Sequence, residues 1–433
     1  MNYAEALDWL FNVRRFGPHR TLEPTRHILG LLGDPQKSFK SVHVGGSNGK
    51  GSTSALTASI LEAAGYRVGL FTSPHLEEFT ERVKVNGAEI LREDVTRLLG
   101  VIRPLFDEML EQSMPLRFFD IVTAMCFKYF QEQRVDYAVV EVGLGGRLDA
   151  TNVIDPVVSV ITNIGYEHTN ILGETLELIA GEKAGIIKPG RPLVTATRDD
   201  SVYKVFKDTA DSLGCRVIRV GYDTGYRKLG MTMDGQRFSL RSLRGPYDDL
   251  FTPLLGDHQV VNAATAVAAA EAANEEGSVN EEAIRAGLRL VYWPARLEVV
   301  MSRPLVILDC AKDAEATAAA RRSVEEEIPH RRLIAVTSIS TDKKIPEMMR
   351  NISAMADKVI LTTHSVAERA SDPHYLAGLV AENGKPFEVH PVAEEAFARA
   401  LELAGPEDMV LVIGSVFLAG AARTFFKGLG AGR

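Results

Sequence analysis

The segment GGSNGKGST at residues 45–53 sets a lysine and several hydroxyl groups among glycines. It fits the phosphate-binding pattern G-x-x-x-x-G-K-[ST] loosely, because the outer glycines Gly45 and Gly49 stand one residue closer together than the pattern requires. A second departure is Gly51, which separates Lys50 from the hydroxyl residues that follow. The spacing still predicts a loop that binds phosphate groups.

The residue types of this loop indicate its chemistry. The glycines would let backbone N–H groups approach a polyphosphate closely, and Lys50 would reach the terminal phosphates. Ser52 or Thr53 would cap the following helix and face Mg²⁺. The alternative is an ordinary glycine-rich turn that caps a helix.

Three further residues stand where predicted strands end or in a predicted helix. Glu141 closes an apolar run, where a carboxylate commonly orients Mg²⁺ beside phosphates, although it could merely cap a turn. His168 follows the next apolar run, and a lone histidine is more often structural than a ligand. Lys183 has an acidic neighbour in its helix, and by itself that pattern indicates an ion pair in solvent.

A sheet of parallel strands would bring these residues together. Apolar runs alternate with helical patterns, which predicts a doubly wound α/β sheet. The predicted strands include 42–44, 66–75, 136–146 and 157–165, and the predicted helices include 52–64, 120–133 and 258–273. Short β-like segments at 216–251 predict a group of small strands. The first 40 residues are predicted to be helical, with a turn at Pro18–His19.

A second α/β unit follows a predicted hinge. Pro294, within the segment 292–298, breaks the pattern after a helix. Four strand candidates follow it, at 304–309, 332–339, 357–364 and 408–415. The chain is therefore expected to divide into residues 1–294 and 295–433.

Composition excludes several classes of protein. The 433 residues are 45% apolar and 24% charged, as in a globular protein of two domains. The net charge of −8 argues against nucleic acid as a partner, since phosphate backbones need a basic surface. No C-x-x-C spacing indicates zinc or a disulfide framework, and the cysteines are expected to be buried. No signal peptide or membrane span is predicted, so we expect a cytoplasmic protein.

Five segments together carry a resemblance to a known family. They are GGSNGKGS, SPHLEEFTERVKVNG, EVGLGGRLDATN, TNIGYEHTNILGETLELIAGEKAGI and GDHQVVNAATAVAAA. In this order they resemble the folylpolyglutamate synthase and dihydrofolate synthase family, within the wider Mur ligase group. The resemblance is dense from about Gly45 to Arg296 and thinner beyond.

The resemblance implies an N-terminal P-loop-type doubly wound ATPase domain and a smaller C-terminal Rossmann-like α/β ligase domain. It implies that ATP phosphorylates a pterin-linked carboxylate, and that the amine of glutamate attacks the acyl phosphate to form an amide. Catalysis would rest mainly on positioning and charge neutralisation. The implied cofactors are ATP, Mg²⁺ (two ions) and a CO₂-derived carbamate on a lysine. Partners would be small molecules, and one chain would form the site, so a monomer is expected.

The resemblance also implies roles for individual residues. ATP would be bound by Gly46, Asn48, Gly49, Lys50, Gly51, Ser52, His258, Asn262, Arg296 and Asp309. Magnesium would be bound by Ser52, Ser73, Glu141 and His168. Substrate would be bound by Arg82, Asp149 and Lys312. Catalysis would involve Lys183, as the carbamylated lysine, together with His168, Arg296, Asp309 and Lys312.

The sequence departs from the family pattern after the hinge. Lys312, Asp313 and Ala314 stand where the family has His-Asn-Pro, and residues 342–344 reverse the sign of a final acid. Glu167 replaces an aspartate, and Asp120 similarly replaces a glutamate. Lysine could still stabilise an acyl phosphate, or it could bind a different amino acid or a longer acidic tail. The remaining alternative is drift on a solvated loop.

Three functions therefore stay open at the level of sequence. The first is a ligase that adds glutamate to a folate-type acid, and the form RLDATN resembles enzymes able to add the first glutamate. The second is a related ligase with another acceptor, which the altered motif at Lys312 favours. The third is a nucleotide-binding protein without ligase chemistry, against which Lys183 argues.

Overall fold

The computed structural model describes residues 1–13, 21–274 and 277–430. The helices are α1 Tyr3–Asn12, α2 Glu23–Leu31, α3 Lys50–Ala63, α4 Arg92–Glu111, α5 Phe118–Glu132, α6 Thr169–Leu172, α7 Leu176–Ala184, α8 Asp200–Ser212, α9 Asp257–Ala273, α10 Glu281–Leu290, α11 Ala314–Glu327, α12 Ile345–Met355, α13 Pro373–Glu382, α14 Ala393–Leu403 and α15 Val416–Gly428. The predicted turn at Pro18–His19 lies outside the described residues.

The strands belong to three sheets. They are β1 Lys40–Gly45, β2 Val68–Phe71, β3 Val83–Val85, β4 Ala88–Glu89, β5 Tyr137–Glu141, β6 Val158–Ile161, β7 Leu193–Thr195, β8 Val217–Arg219, β9 Gly225–Thr232, β10 Gly235–Arg241, β11 Pro246–Thr252, β12 Glu298–Ser302, β13 Leu305–Leu308, β14 Leu333–Thr337, β15 Lys358–Leu361, β16 Phe387–Val389 and β17 Met409–Ile413. Short 3₁₀ turns lie at Pro35–Lys37, Phe79–Arg82, Ala150–Val153 and Ala367–Arg369.

The main sheet has eight strands in the order β4-β3-β2-β5-β1-β6-β7-β8. The strands from β2 to β8 in this order pair in parallel, whereas β3 and β4 add an antiparallel edge. Every residue of β5 is buried, as its continuous apolar sequence predicts for a strand covered on both faces. The α3 and α9 helices cover one face, while α4 and α5 cover the other. The predicted doubly wound α/β sheet is confirmed.

The β-like region predicted at 216–251 divides between two sheets. Strand β8 is the last strand of the main sheet, and β9, β10 and β11 form a separate antiparallel sheet. Apolar side chains of β10 and β11, such as Phe238 and Leu250, join the core beneath α9. The small sheet therefore extends the N-terminal core.

The third sheet begins after the segment that follows α10. Its six strands run in the order β12-β13-β17-β14-β15-β16, with β12 antiparallel to β13 and the others parallel. The four predicted strand candidates correspond to β13, β14, β15 and β17. Strands β12 and β16 were not predicted, because these edge strands are only partly buried and lack a continuous apolar run.

Helix boundaries differ from prediction where a cap decides them. Helix α3 begins at Lys50, two residues before the predicted start, because Gly49 adopts a left-handed conformation with φ of 82° and ends the loop. Lys50 therefore belongs to the first turn of the helix. Within the three described ranges, no helix has the length and apolar character needed to cross a membrane.

Candidate active site

The glycine-rich loop joins β1 to α3, as predicted, and two of its glycines are required by close contacts. A Cβ atom at Gly46 would lie 1.9 Å from Thr162 Oγ1, and one at Gly49 would lie 2.4 Å from Asn262 Oδ1. Both glycines also have positive φ angles, of 134° and 82°. The loop is thus packed between the end of β6 and the helix α9, which brings Asn262 beside the backbone of the glycine-rich loop.

The ammonium of Lys50 folds back over this loop. Its Nζ donates to the carbonyl oxygens of Gly46 and Ser47 at 2.8 and 3.0 Å. These neutral acceptors hold the cation where a bound polyphosphate would compete for it, since charged acceptors bind an ammonium more strongly. Gly51 packs against the linker after α10, because a Cβ atom added at this glycine would lie 2.8 Å from the Trp293 ring. The loop therefore contacts the connection between the two α/β units.

Glu141 and Ser73 lie together at the ends of β5 and β2. Glu141 Oε2 accepts the backbone N–H of Ser73 at 2.9 Å, and the glutamate is buried. Burial raises the pKa of Glu141, while Lys50, the Ser73 N–H, Lys312 and Arg296 oppose that rise. Cations from both α/β units therefore act on this one carboxylate.

The donors near Glu141 fit a magnesium ion that nucleotide phosphates also bind. Glu141 Oε1 has no hydrogen-bond partner among the described residues, so one carboxylate oxygen at the end of β5 remains for a cation. No group of three or more His, Cys, Asp and Glu side chains in the described ranges could hold a metal alone. Mg²⁺ commonly uses one or two carboxylates, with water and phosphate oxygens completing its shell. The Ser73 hydroxyl is a further oxygen of this kind.

His168 caps the short helix α6 in a left-handed conformation, with φ of 44°. Burial and then Lys343 lower the pKa of its imidazole, and Glu167 partly opposes them. A neutral imidazole has one nitrogen free to accept a hydrogen bond or bind a metal. The structure brings His168 to the same edge of the sheet as Glu141, opposite a lysine of the C-terminal unit.

Lys183 is buried, with 1% of its surface exposed, and this overturns the alternative of a solvated ion pair with its helix neighbour. Its Nζ donates to Glu167 Oε1 at 2.5 Å and to the Gly46 carbonyl at 2.9 Å. The acidic neighbour Glu182 contacts Arg147 instead. Burial lowers the pKa of Lys183 to about 8, although Glu167 opposes the change.

Arg296 lies in a linker whose backbone is unusual on both sides. Ala295 and Leu297 have positive φ angles of 52° and 46°, which are unfavourable for residues with a side chain. Asp309, at the end of β13, stabilises this turn, because its Oδ2 accepts the Leu297 N–H at 2.9 Å. Its Oδ1 accepts the Ala311 N–H at 2.8 Å, so both oxygens bind backbone. Asp309 thus positions the linker that carries Arg296.

His258 occupies the first turn of α9, one turn before Asn262. Burial, and then the Arg296 cation, lower the pKa of His258 to about 4. The imidazole is therefore neutral at physiological pH and lies close to the linker. In α9, Asn262 thus lies beside the glycine loop and His258 near Arg296, while nucleotide binding by these two residues stays a prediction.

Lys312 lies in the loop after β13, close enough to Lys50 of the glycine-rich loop for the two cations to interact. Crowding by protein atoms, and then the Lys50 and Lys343 cations, lower its pKa, although its side chain still reaches solvent. Three lysines from both units thus raise the positive potential of one cleft. Such a cluster favours binding of an anion. Lys312 lies in the cleft and is not a side chain of a remote loop.

The structure adds Glu315, which sequence reasoning missed. Its carboxylate accepts from Asn48 at 3.4 Å and from Asn163 at 3.2 Å, and Asp313 also accepts from Asn48 at 3.3 Å. The first turn of α11 therefore contacts the phosphate-binding loop directly. The only sequence signal was a cluster of acids after a strand.

Arg82 and Asp149 have protein partners on the neighbouring side of the sheet. Arg82 donates from Nε to His75 Nδ1 at 2.9 Å and lies over the rings of Phe79 and Phe118. Asp149 is buried and accepts the backbone N–H groups of Leu144 at 2.9 Å and Thr151 at 3.0 Å. In this state Asp149 shapes the turn after β5.

The cysteines Cys126, Cys215 and Cys310 are free and buried, as expected from their apolar surroundings. Burial raises the pKa of the Cys310 thiol to about 11, so it is not a nucleophile at neutral pH. Cys310 lies between Asp309 and Ala311 in the linker contact. Its role is packing.

Known proteins match this chain over nearly its whole length. The Mur ligase middle domain matches residues 44–270, and the Mur ligase glutamate ligase domain matches residues 295–416. The dihydrofolate synthase/folylpolyglutamate synthase of Bacillus subtilis is 35% identical over 98% of this chain and 99% of its own length. A Mycobacterium tuberculosis folylpolyglutamate synthase complexed with ADP superposes with a TM-score of 0.91 at 33% identity, covering 98% of both chains.

One relative is longer than this chain. A probable bifunctional folylpolyglutamate synthase/dihydropteroate synthase of Halobacterium salinarum is 39% identical over 98% of this chain, which spans 52% of that protein. The similarity thus covers about half of the relative's length.

A glycine loop, a buried lysine and a cleft formed with a second α/β unit define a Mur-type ligase. Sequence identity to these relatives over 98% of the chain identifies one family within the Mur ligases. The protein belongs to the folylpolyglutamate synthase/dihydrofolate synthase family.

Proposed function

We propose that this protein is an ATP-dependent ligase that joins L-glutamate to the carboxylate of a folate-type acid through an acyl phosphate. One observation carries the proposal: Lys50, Lys312 and Arg296, drawn from both α/β units and their linker, act on the buried Glu141 beside the glycine loop. A reaction that transfers a phosphoryl group to a carboxylate needs this concentration of cations, because both reactants are anionic.

The position of each residue around the cleft suggests its role in this reaction. Backbone N–H groups of the glycine loop and Lys50 bind the phosphates of ATP, and Arg296 approaches from the linker. Glu141, Ser73 and Ser52, with His168 adjacent, would hold a magnesium ion, which would supply positive charge to neutralise the transferred phosphoryl group. Lys312 stabilises the anionic acyl phosphate or the incoming amino acid. Closure of the second unit excludes water, which would otherwise hydrolyse the intermediate.

Lys183 supports ligase chemistry over simple nucleotide binding. A buried lysine with a pKa of about 8 is partly neutral near physiological pH, and only the neutral amine adds CO₂ to form a carbamate. That modification would turn the side chain into a carboxylate beside the phosphates. A protein that used ATP only as a conformational ligand would have no need for it.

A second candidate is a ligase of this type with a different acidic acceptor. Lys312 favours it, because a flexible ammonium that reaches solvent in the cleft could bind an acidic group other than that of a folate. We further propose that the protein works as a monomer, since residues of one chain supply both sides of the cleft.

The function can be tested with purified protein, ATP, Mg²⁺ and glutamate. Dihydropteroate and tetrahydrofolate would be supplied separately, and phosphate release would be measured alongside the mass of the product. Phosphate release that depends on an acceptor, with a mass gain of one glutamyl residue, is the expected result. If the protein binds ATP but releases no phosphate with either acceptor, the proposal that it is a folate-type ligase would be excluded. A product with dihydropteroate would identify addition of the first glutamate.

A further inference from the structure

The loop between β2 and β3, residues 72–82 (the β2–β3 loop), carries Ser73 at one end and Arg82 at the other. Its two ends are tied together, because the Thr72 N–H donates to the Arg82 carbonyl at 3.0 Å. Ser73 donates to the magnesium candidate Glu141, and Arg82 is a substrate candidate. The position of this loop therefore affects both proposed sites at once.

The β2–β3 loop is internally rigid. The Glu81 carboxylate accepts three consecutive backbone N–H groups, those of Leu76, Glu77 and Glu78, each at 2.8 Å. Charge-assisted bonds of this kind are stronger than neutral ones. Glu81 thus connects the tip of the loop to its C-terminal end.

The tip of the loop is held by α15 of the C-terminal unit. The Glu77 carboxylate accepts from Arg423, from Thr424 Oγ1 at 2.9 Å and from Lys427 Nζ at 2.8 Å. The side chains of Glu77 and Arg423 are 17% and 10% exposed, so water screens their interaction poorly. Three donors from successive turns of one helix thus converge on a single carboxylate of the other unit.

Arg423 also joins the loop to the rest of the C-terminal unit. Its guanidinium contacts the Glu298 carboxylate at 3.1 Å on β12 and the hydroxyl of Tyr292 in the linker. At Gly420 the helix and loop are in direct contact, since a Cβ atom there would lie 2.2 Å from the Leu76 carbonyl oxygen. The loop, the linker and the second sheet therefore meet at one arginine.

We propose that Glu77 and Arg423 are positioning residues: their contact, made only when the two units are together, fixes the β2–β3 loop and so aligns Ser73 and Arg82 for the reaction. The contact links domain closure to the geometry of the site. Its effect on catalysis rests on the proposed ligase function, whereas its effect on the loop does not.

The proposed effect of the contact on the β2–β3 loop can be tested without an activity assay. Hydrogen exchange of backbone amides at residues 76–78 and 81 would be followed in the full chain and in the Arg423→Gln and Glu77→Gln variants. We expect at least about tenfold faster exchange in either variant, because a partly buried charge-assisted bond is lost. The double variant should add little to either single change, since both remove the same contact.

The catalytic part of the proposal uses the same variants in the ligase assay. The expected result is a KM for the folate-type acceptor raised at least about tenfold, with a much smaller change in the KM for ATP. Lys427→Gln, which removes one bond from a half-exposed side chain, should shift both measurements less and in the same direction. Arg331→Gln, in the pair between Arg331 and Asp408 remote from the loop, is the matched control.

The outcomes separate the two proposals. Unchanged exchange in both Arg423→Gln and Glu77→Gln would overturn the positioning role, whether or not the protein is a folate ligase. Faster exchange with equal effects on both KM values would also overturn it, as that result indicates a general loss of structure. A wild-type protein without ligase activity but with loop protection lost in the variants would refute the proposed function while supporting the contact.

Discussion

The ammonium of Lys183 lies 2.5 Å from Glu167 Oε1, inside the protein and against the backbone of the phosphate-binding loop. Burial alone would raise the pKa of Glu167, but Lys50 and Lys183 outweigh it and bring that pKa to about 2. The carboxylate therefore remains ionised and partly compensates the burial of the lysine. This pair decides how readily Lys183 loses its proton, and so whether it can be modified.

Carbamylation of Lys183 should increase with pH. Since its pKa is lowered to about 8, the neutral amine becomes the major form as the pH rises through that value, and CO₂ adds only to this form. Incubation with ¹³C-bicarbonate from about pH 7 to about pH 9 should give a growing carbamate signal in ¹³C NMR. Lys183→Met should lack the signal. An equal signal in this variant would place the modification elsewhere.

Lys50→Ala should abolish turnover while the fold survives. The ammonium contacts loop carbonyls at the surface of α3 and does not support the core. Loss of a preorganised cation at a developing charge lowers kcat by about a hundredfold or more. Steady-state kinetics would measure the loss, and circular dichroism would check the fold. Full activity in this variant would mean that the phosphate site lies elsewhere.

Gly46→Ala should destabilise the protein and not merely weaken ATP binding. The new methyl group would meet Thr162 Oγ1 at 1.9 Å in a backbone conformation with φ of 134°. Strain and overpacking together are expected to lower the free energy of unfolding by about 3 kcal/mol. Gly100→Ala is the control, because Gly100 lies within α4 with open space around it. Urea unfolding of both variants would measure the difference, and equal midpoints would contradict the packing described here.

Lys312→His tests the residue that departs from the family pattern. Histidine is mostly neutral at pH 7, so the cleft would lose one of its cations. We expect kcat/KM for the preferred acceptor to fall about tenfold, and Lys312→Arg to retain more activity. Lys207→His, on the exposed face of α8, is the control. A rise in activity with histidine would instead mark this stretch as a weakened form of the family site.

Much of the fold followed from local sequence. The apolar run before Glu141 and the alanine-rich helix α9 were found because burial on both sides leaves no polar face to obscure the pattern. Strands β12 and β16 were not predicted, since these edge strands are only partly buried and combine polar with apolar residues. The start of α3 at Lys50 depended on the left-handed conformation of Gly49, which a propensity for helix does not reveal.

The site was predictable where a motif is continuous and less so where it is assembled from distant segments. Lys50 and the glycines form one segment, so a phosphate-binding loop could be predicted from that segment alone. The partner of Lys183 could not, because the adjacent Glu182 was the obvious candidate and the actual partner, Glu167, is 16 residues away in another loop. Glu315 stood out only as part of a cluster of acids after a strand, and the partners of Glu315 and Glu77 could not be predicted, since they lie in the opposite unit.

The sequence by itself determined the classes of element, their order, and the residue types available for phosphate, metal and acyl chemistry. Those properties depend on neighbours along the chain, through hydrogen bonds and side-chain periodicity. Only the tertiary structure decided which charges face one another across the cleft and which of them are buried. A charge interacts through space and through the polarity around it, so the pKa of Lys183 depends on burial and on Glu167 and Lys50 from other segments of its own unit. The full set of cations near Glu141 and the contact of Glu77 with Arg423 arise only when the two units meet.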